Sequence, residues 1–480
     1  MVKRIVQFHD DGQSTSQPPP TRMFSTALGI TFELQSDEDT RLQGSTSTCT
    51  LVIITTGLLF PGASEPICDA ALVIEESLIV WVGAGQRLPS KYIDTPHERF
   101  SVPYLMPGLW DCHVHFDGAS PQGDGSNVGI HTEHPAAAGA RLAKGCWDAL
   151  QRGYTSVRDL AGYGCELSRA IEDGSIAGPH IYSAGACISQ SGGHGDLFEL
   201  PAGDVLLGMG ASNIVPGHFG TGISIVADGI DECRRAVRLQ IRRGARCIKV
   251  MASGGVGSRD DNLFCAQFSP EELECIVQEA ARQNMSVAVH AHAKAGIMNA
   301  VHAGVATVEH ATFADDECIH LIKEKGVIYI ATRTIVESLL QTGGKGLAPP
   351  IWKKAQLAAA SNEAAYKAAI RSGLTFALGT DMPPGSNHAK ELEYAVKAGM
   401  SNLEAIRAAT ANGPLTVGLQ APKTGQLKPG YEADIIGLTV NPGLDVRHLQ
   451  KSKNIKYVWK GGRLFKGPGI AEWGGPARHA

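Results

Sequence analysis

The 480-residue chain has no run of about 18 apolar residues, the length a bilayer-spanning helix needs, so no transmembrane helix is expected. Its first residues include Lys3 and Arg4 but no apolar stretch of signal-peptide length, which favours a cytoplasmic location. Eleven cysteines contain no Cys-x-x-Cys pair and their number is odd. A disulfide scaffold and a zinc finger are thereby disfavoured, and a reducing compartment fits. An excess of positive charge is also missing: 43 basic against 48 acidic side chains leave −5, which does not suit a general nucleic-acid binder. Neither nucleic acid nor membrane is expected as a partner. The apolar share of 43% is enough for a sizeable core and excludes global disorder, collagen and coiled coil. Histidine is the informative presence, with 17 residues, several at metal-ligand spacing.

Residues 1–48 are polar, with Ser, Gln and three successive prolines near Gln13–Thr21, and read as a flexible tail or pro-segment. Strand-like runs follow at 51–54, 71–74 and 78–82, punctuated by Pro61-Gly62 and Gly83-Ala-Gly85. From residue 107 short apolar runs (155–160, 180–184, 247–252, 286–293, 306–310, 327–332, 375–378) alternate with helical patterns at 136–152, 231–243, 271–282 and 355–371. With the strand that must precede His113, eight strands alternate with helices. The fold class is therefore α/β, a (β/α)8 TIM barrel over 107–423, with an open doubly wound sheet as the rival. Strand signals return after 423, at 433–438 and 456–459. Residues 49–106 and 424–480 are thus expected to join in a composite small β domain, sandwich-like in form.

The segment Met106-Pro-Gly-Leu-Trp-Asp-Cys-His-Val-His115 sets His113 and His115 on one face of a strand, where both imidazoles can reach one metal. Lys249 interrupts the apolar strand 247–252. An ammonium has no lone pair for a metal, but a lysine that adds CO2 becomes an anionic carbamate able to bridge two ions; otherwise it snorkels to the rim. His290 and His292 form a second His-x-His, His310 ends the next strand, and Asp381 follows the last one. Each alone has a bland reading, as a cap or a backbone-bonded histidine. Five strands each bearing a ligand-type side chain at the end where barrel enzymes work indicate a metal site.

The order His-x-His, Lys, His, His, Asp, with Asp111 before His113 and Gly-Thr-Asp381 after the last strand, resembles the binuclear metal-dependent amidohydrolase superfamily. The stretch Gly425-Gln-Leu-Lys-Pro-Gly-Tyr-Glu-Ala-Asp-Ile-Ile436 is similar to that family's return into a small sheet. Gly145-Cys-Trp, Gly153-Tyr-Thr-Ser156, Arg158-Asp-Leu-Ala-Gly-Tyr-Gly-Cys165, Lys249-Val-Met-Ala-Ser-Gly-Gly255, Ser258-Arg-Asp-Asp-Asn262 and Val458-Trp-Lys-Gly-Gly462 narrow the likeness to a fungal branch. It runs from about residue 50 to 475 and is weaker over the first 48. The resemblance implies that His113, His115 and Asp381 hold one Zn2+ and His290 and His310 a second, other divalent metals being alternatives. It also implies that carboxylated Lys249 and a hydroxide bridge the two ions, and that Asp381 shuttles the proton. The implied reaction is hydrolysis of an N-acyl aromatic amino acid, foremost a phenylalanine acylated by an isocoumarin acid. A carboxypeptidase or Xaa-Pro-type dipeptidase is the alternative within the class, and a non-catalytic scaffold on the same fold the alternative outside it. The resemblance further implies a large homo-oligomer such as an octamer, and allows secretion.

Candidate substrate contacts are His292, spare in the ligand count; Arg333, able to pair with a carboxylate; His194, in the glycine-rich Ser191-Gly-Gly-His-Gly-Asp196; and Tyr163. Three other signals are discounted. The arginines at 234, 235, 238, 242, 243 and 246 read as a solvated or subunit-facing helix surface. Gly254-Gly-Val-Gly257 lacks the Gly-Lys-Ser/Thr ending of a phosphate loop. Cys112 faces away from the histidines and reads as packed.

Overall fold

Strand alternation decides which side chains meet the site and which meet the core. In the computed structural model, which describes residues 22–25, 31–34, 51–119, 134–196, 222–470 and 473, the chain divides into two units, 1–49 and 50–480. The described part of the first is an antiparallel pair, β1 (Arg22–Ser25) and β2 (Thr31–Leu34). The rest of the expected tail lies outside the described residues.

In the second unit a parallel sheet runs β11 (Ser224–Val226), β10 (Cys187–Ser189), β12 (Ile248–Met251), β13 (Val287–Ala291), β14 (Thr307–His310), β15 (Ile328–Ile330). A second parallel sheet holds β7 (Leu109–Val114), β8 (Tyr154–Asp159) and β9 (His180–Ser183). Among the described residues the two do not form one continuous ladder. The strand expected at 375–378 is present as isolated bridges, Tyr329 with Phe376 and Val114 with Met382. Backbone bonds accompany them: Cys112 N–H donates to Leu378 O and Asp381 N–H to His113 O. On β12 and β13, Ile248, Val250, Val287 and Val289 pack in the main core. Their partners include Cys233, Ala236 and Val237 of helix Gly229–Arg243 and Leu273, Ile276 and Ala280 of helix Pro270–Ala281. The alternate residues Lys249, Met251 and His290 face the other way, into the cavity described below.

The helices end where local chemistry says they should. Ser269 and Glu272 form a reciprocal capping box ahead of Pro270. Gly244, at φ 107°, closes helix Gly229–Arg243 in the left-handed conformation. The discounted arginine run is on and just after this helix. Arg238 pairs with Glu279, and Arg243 is buried on Glu166 and two carbonyls.

Both ends of the second unit meet in one seven-stranded sheet, and this single sheet is what the structure has where a sandwich was expected. Its order is β18 (Arg463–Lys466), β17 (Ile455–Lys460), β16 (Ile435–Leu438), β6 (Glu98–Pro107), β3 (Leu51–Leu59), β4 (Ile67–Glu75), β5 (Leu78–Ala84). Strand β6 pairs parallel to β3 and antiparallel to β16, and runs almost directly into β7. No described helix is long and apolar enough to cross a membrane. The ten described cysteines are free, Cys112 buried among them as expected.

Candidate metal centre and active site

The cavity at the C-terminal ends of β7, β12, β13 and β14 has a volume of about 320 Å3 and is lined by His113, His115, His194, Lys249, His290, His292, His310 and Asp381. Its other wall is apolar, with Ile223, Met251, Val256, Ile335, Val336 and Leu339. Two of these polar groups, and the threonine behind one of them, are held by unusual backbone. His310, Thr332 and Asp381 have φ of 69°, 48° and 60°. Such a conformation costs a non-glycine residue of order 1–3 kcal/mol and persists only where the surroundings enforce it. For His310 the effect on direction is direct: alternation places Thr307 and Glu309 on one face of β14 and would send His310 to the other. The left-handed turn returns it to the cavity.

The cluster has two parts. His113 Nε2 and His115 Nε2 lie 3.4 and 2.8 Å from Asp381 Oδ1. His290, His292 and His310 bring one nitrogen each within 4.8 Å of one another. His113 and His310 connect the parts, with ring centroids 5.2 Å apart. His194 stacks on His290 at 4.3 Å.

Behind the imidazoles is a shell of acceptors. His113 Nδ1 bonds Glu309 Oε2 at 2.9 Å, and His115 Nδ1 bonds the Ala161 carbonyl at 3.1 Å. Neither partner donates, so both Nδ1 atoms carry a proton and both Nε2 atoms are turned to the cavity. His310 Nδ1 is 2.6 Å from Thr332 Oγ1, whose own proton goes to the Ala331 carbonyl. That hydroxyl therefore accepts, and fixes the same tautomer. His292 Nδ1 meets Thr312 Oγ1 at 2.7 Å, a group that can donate or accept. Glu309 also receives Arg158 Nη2 at 2.7 Å and Thr307 Oγ1 at 2.5 Å, with the arginine and glutamate both fully buried.

Electrostatics favour neutral imidazole, the form that binds a metal. Burial, with Lys249 adding, pushes His113 down to about 4. Burial also takes His194 to about 4 and His292 to about 3, and holds His290 and His310 well below the ordinary range. His115 is raised: burial opposes its charge, but the Asp381 bond and charge outweigh it. Burial would raise Asp381, yet His113 and His115 hold it well below the usual carboxylate range. Burial lowers Lys249, against the pull of Glu309 and Asp381. Lys249 is 1% exposed, with no hydrogen-bond partner among the described residues. His290 Nε2 is likewise buried without a partner. An orphaned imidazole nitrogen and an unpaired lysine on the wall of a histidine-lined cavity are what a metal-ligand set leaves behind, and the donors fit divalent transition metals.

Two expected substrate contacts are elsewhere. Arg333 points away from the cavity, with its guanidinium on Glu337 at 2.7 Å, the Ala359 carbonyl at 2.6 Å and Asn362. The helix Arg333–Gln341 starts at this residue, so its side chain follows the helix into the packing with helix Pro349–Arg371. Tyr163 packs, like Leu167 and Ile171, against the cluster of Val114 and Phe116, with the Arg243 guanidinium over its ring, because it is the residue that caps helix Gly164–Glu172. His194 and His292 do line the cavity. His194 Nδ1 bonds Ser258 Oγ, and behind it Asp261 pairs with Lys354. The close approach requires Gly255, since a Cβ there would lie 2.2 Å from the His194 ring. Sequence reasoning missed Glu309, Arg158 and Thr332. Opposite charges inside two short strands were the available signal for the first two.

The site and fold place the chain in a known class: the amidohydrolase family model matches residues 104–465, and the chain belongs to that family. It is 53% identical over 480 residues to ochratoxinase of Aspergillus niger, covering 100% of this chain and 99% of that protein. That likeness therefore includes the first 48 residues. The crystal structure of A. niger ochratoxinase superposes with a TM-score of 0.86 at 56% identity, covering 89% of this chain and 98% of that one. A Xaa-Pro dipeptidase with bound methionine matches at TM-score 0.76 and 28% identity, over 87% of this chain and 100% of the other. The protein is a hydrolase acting on amide or peptide bonds.

Proposed function

We propose that the protein hydrolyses the amide of N-acyl aromatic amino acids, with ochratoxin A, cleaved to ochratoxin alpha and L-phenylalanine, as its substrate. The carrying observation is the cavity itself, about 320 Å3 in volume, where histidines with cavity-facing Nε2 atoms, most of them held neutral by burial, and an ionised Asp381 face an apolar wall. His113, His115 and Asp381 would hold one Zn2+, His290 and His310 the other, with Lys249 as its carbamate shared between them. Two such ions supply hydroxide at neutral pH and polarise the scissile carbonyl.

The chain's own groups do the rest. Asp381, ionised and beside both cavity-facing Nε2 atoms, accepts the proton of the attacking water on its carboxylate. It returns that proton to the leaving amine as the C–N bond breaks, so acyl carboxylate and free amino acid leave together. Glu309 keeps His113 oriented. His292 and His194 contact the substrate, and His292 can change tautomer as the substrate requires. We also read 107–423 as a (β/α)8 barrel whose ends carry the composite β domain of 49–106 and 424–480.

A dipeptidase reading is favoured by the Xaa-Pro dipeptidase likeness. Product release from ochratoxin A, N-acyl-phenylalanine and Xaa-Pro dipeptides, compared as kcat/KM on zinc-loaded protein, separates the two. Metal-dependent release of phenylalanine from the toxin supports the proposal, and cleavage of the dipeptides alone defeats it.

A further inference from the structure

Away from the cavity, at the N-terminal start of β9, His180 faces Glu432 and Asp434, which precede β16. The three side chains therefore join the parallel strands to the seven-stranded sheet. His180 Nε2 lies 3.4 Å from Glu432 Oε2 and 3.5 Å from Asp434 Oδ2. Neither approach is a hydrogen bond: His180 Nε2 and Asp434 Oδ2 are both buried without one. Asp434 is 1% exposed, and its other oxygen accepts from Gly461 N–H at 2.8 Å, which fixes Oδ2 toward the imidazole. The nearby ammonium of Lys460 is committed to the Gly178 carbonyl at 2.9 Å and does not bond the carboxylates.

Buried polar atoms normally find partners, and two that face each other unpaired ask for a shared one. Around a tetrahedral ion with bonds of 2.0–2.2 Å, neighbouring donor atoms are about 3.3–3.6 Å apart. The two measured separations fall in that range. An imidazole nitrogen with two carboxylate oxygens leaves a fourth position for water and neutralises a divalent charge. The imidazole selects transition metals over Ca2+ or Mg2+.

We propose that His180, Glu432 and Asp434 form a structural binding site for a divalent transition metal, Zn2+ foremost, separate from the catalytic cavity and pinning the two sheets together. The site uses no residue of the amide-hydrolysing centre, so it stands whether or not that reading holds.

The test is the zinc content of full-length protein, stripped with chelator, reloaded with Zn2+ and desalted. Wild type, His180→Gln, Asp434→Asn and a cavity variant, His290→Ala, are compared by elemental analysis. His180→Gln is expected to lose about one ion per chain relative to wild type, to keep wild-type amide hydrolysis, and to show a smaller Zn2+-induced rise in Tm. His290→Ala is expected to lose zinc from the cavity and to keep the ion that His180→Gln removes. Equal zinc content in wild type and His180→Gln overturns the proposal. His180 is half-buried with an unbonded Nε2, so its glutamine variant leaves the strand ladder in place, and cooperative unfolding checks that it does.

Discussion

On the His113 side of the cavity the imidazoles are backed by a carboxylate and a carbonyl; on the His310 side they are backed by hydroxyls. The first side holds negative charge of its own, from Asp381 directly and from Glu309 behind His113. The second is a group of neutral rings with no carboxylate among them, and His290 Nε2 is left without a partner. An anionic side can collect a cation by charge. A neutral side must use geometry and lone pairs. Lys249 lines the same cavity, and as a plain ammonium it offers no lone pair to either side.

The contrast is broken most severely at Asp381, the carboxylate proposed to carry the proton. Asp381→Asn removes both charge and basicity and should lower kcat by about 10^2–10^4-fold while some metal stays bound. Steady-state turnover beside metal content reads this, and wild-type rates would remove Asp381 from the mechanism. Next, Glu309→Gln leaves the Arg158 guanidinium buried beside a neutral amide. The cost should be about 3–5 kcal/mol, measurable by denaturant unfolding. Thr332→Val sharpens the comparison from the other side: His310 loses only an acceptor hydroxyl. Zinc affinity should fall about 10–100-fold with a much smaller change in Tm, and equal stability losses in the two variants would erase the distinction.

Smaller effects follow. Gly255→Ala puts a methyl into the His194 ring and should cost about 1–3 kcal/mol, with a rise in KM. An unchanged KM would take His194 out of substrate contact. For metal-stripped protein the pH dependence has a definite sign. His113 and His194 sit near 4 and His292 near 3, below the ordinary 6.5. The unfolded chain therefore binds more protons in that interval, and stability should fall as pH drops from 6.5 toward 3. His115, raised, acts in the opposite sense. Thermal midpoints across that range check the direction, and zinc should flatten the slope.

The ligand-type residues were legible because strand periodicity and side-chain chemistry are both local: Lys249 and His290 stand out as polar breaks in apolar runs. Arg333 misled because the chain enters a helix at that residue, after Thr332 in a left-handed conformation, which strand alternation does not foresee. Glu309 was hidden by its neighbour, since alternation assigns only one of Glu309 and His310 to the interior. The order of the seven-stranded sheet was also out of reach, because pairing β6 with both β3 and β16 is a long-range choice. Strand content at both ends was readable; which strand sits beside which was not.

That pairing has a consequence for synthesis. Strands β3 to β6 can assemble as soon as they leave the ribosome, but the other edge of β6 is covered only by β16, which begins at Ile435. At 5–20 residues per second the nascent chain carries that exposed edge for roughly tens of seconds. An open edge on an apolar strand is a template for pairing with another chain. Slowing translation before residue 435, or removing β16 to β18, should therefore raise aggregation during expression out of proportion to the stability these strands add to the finished protein.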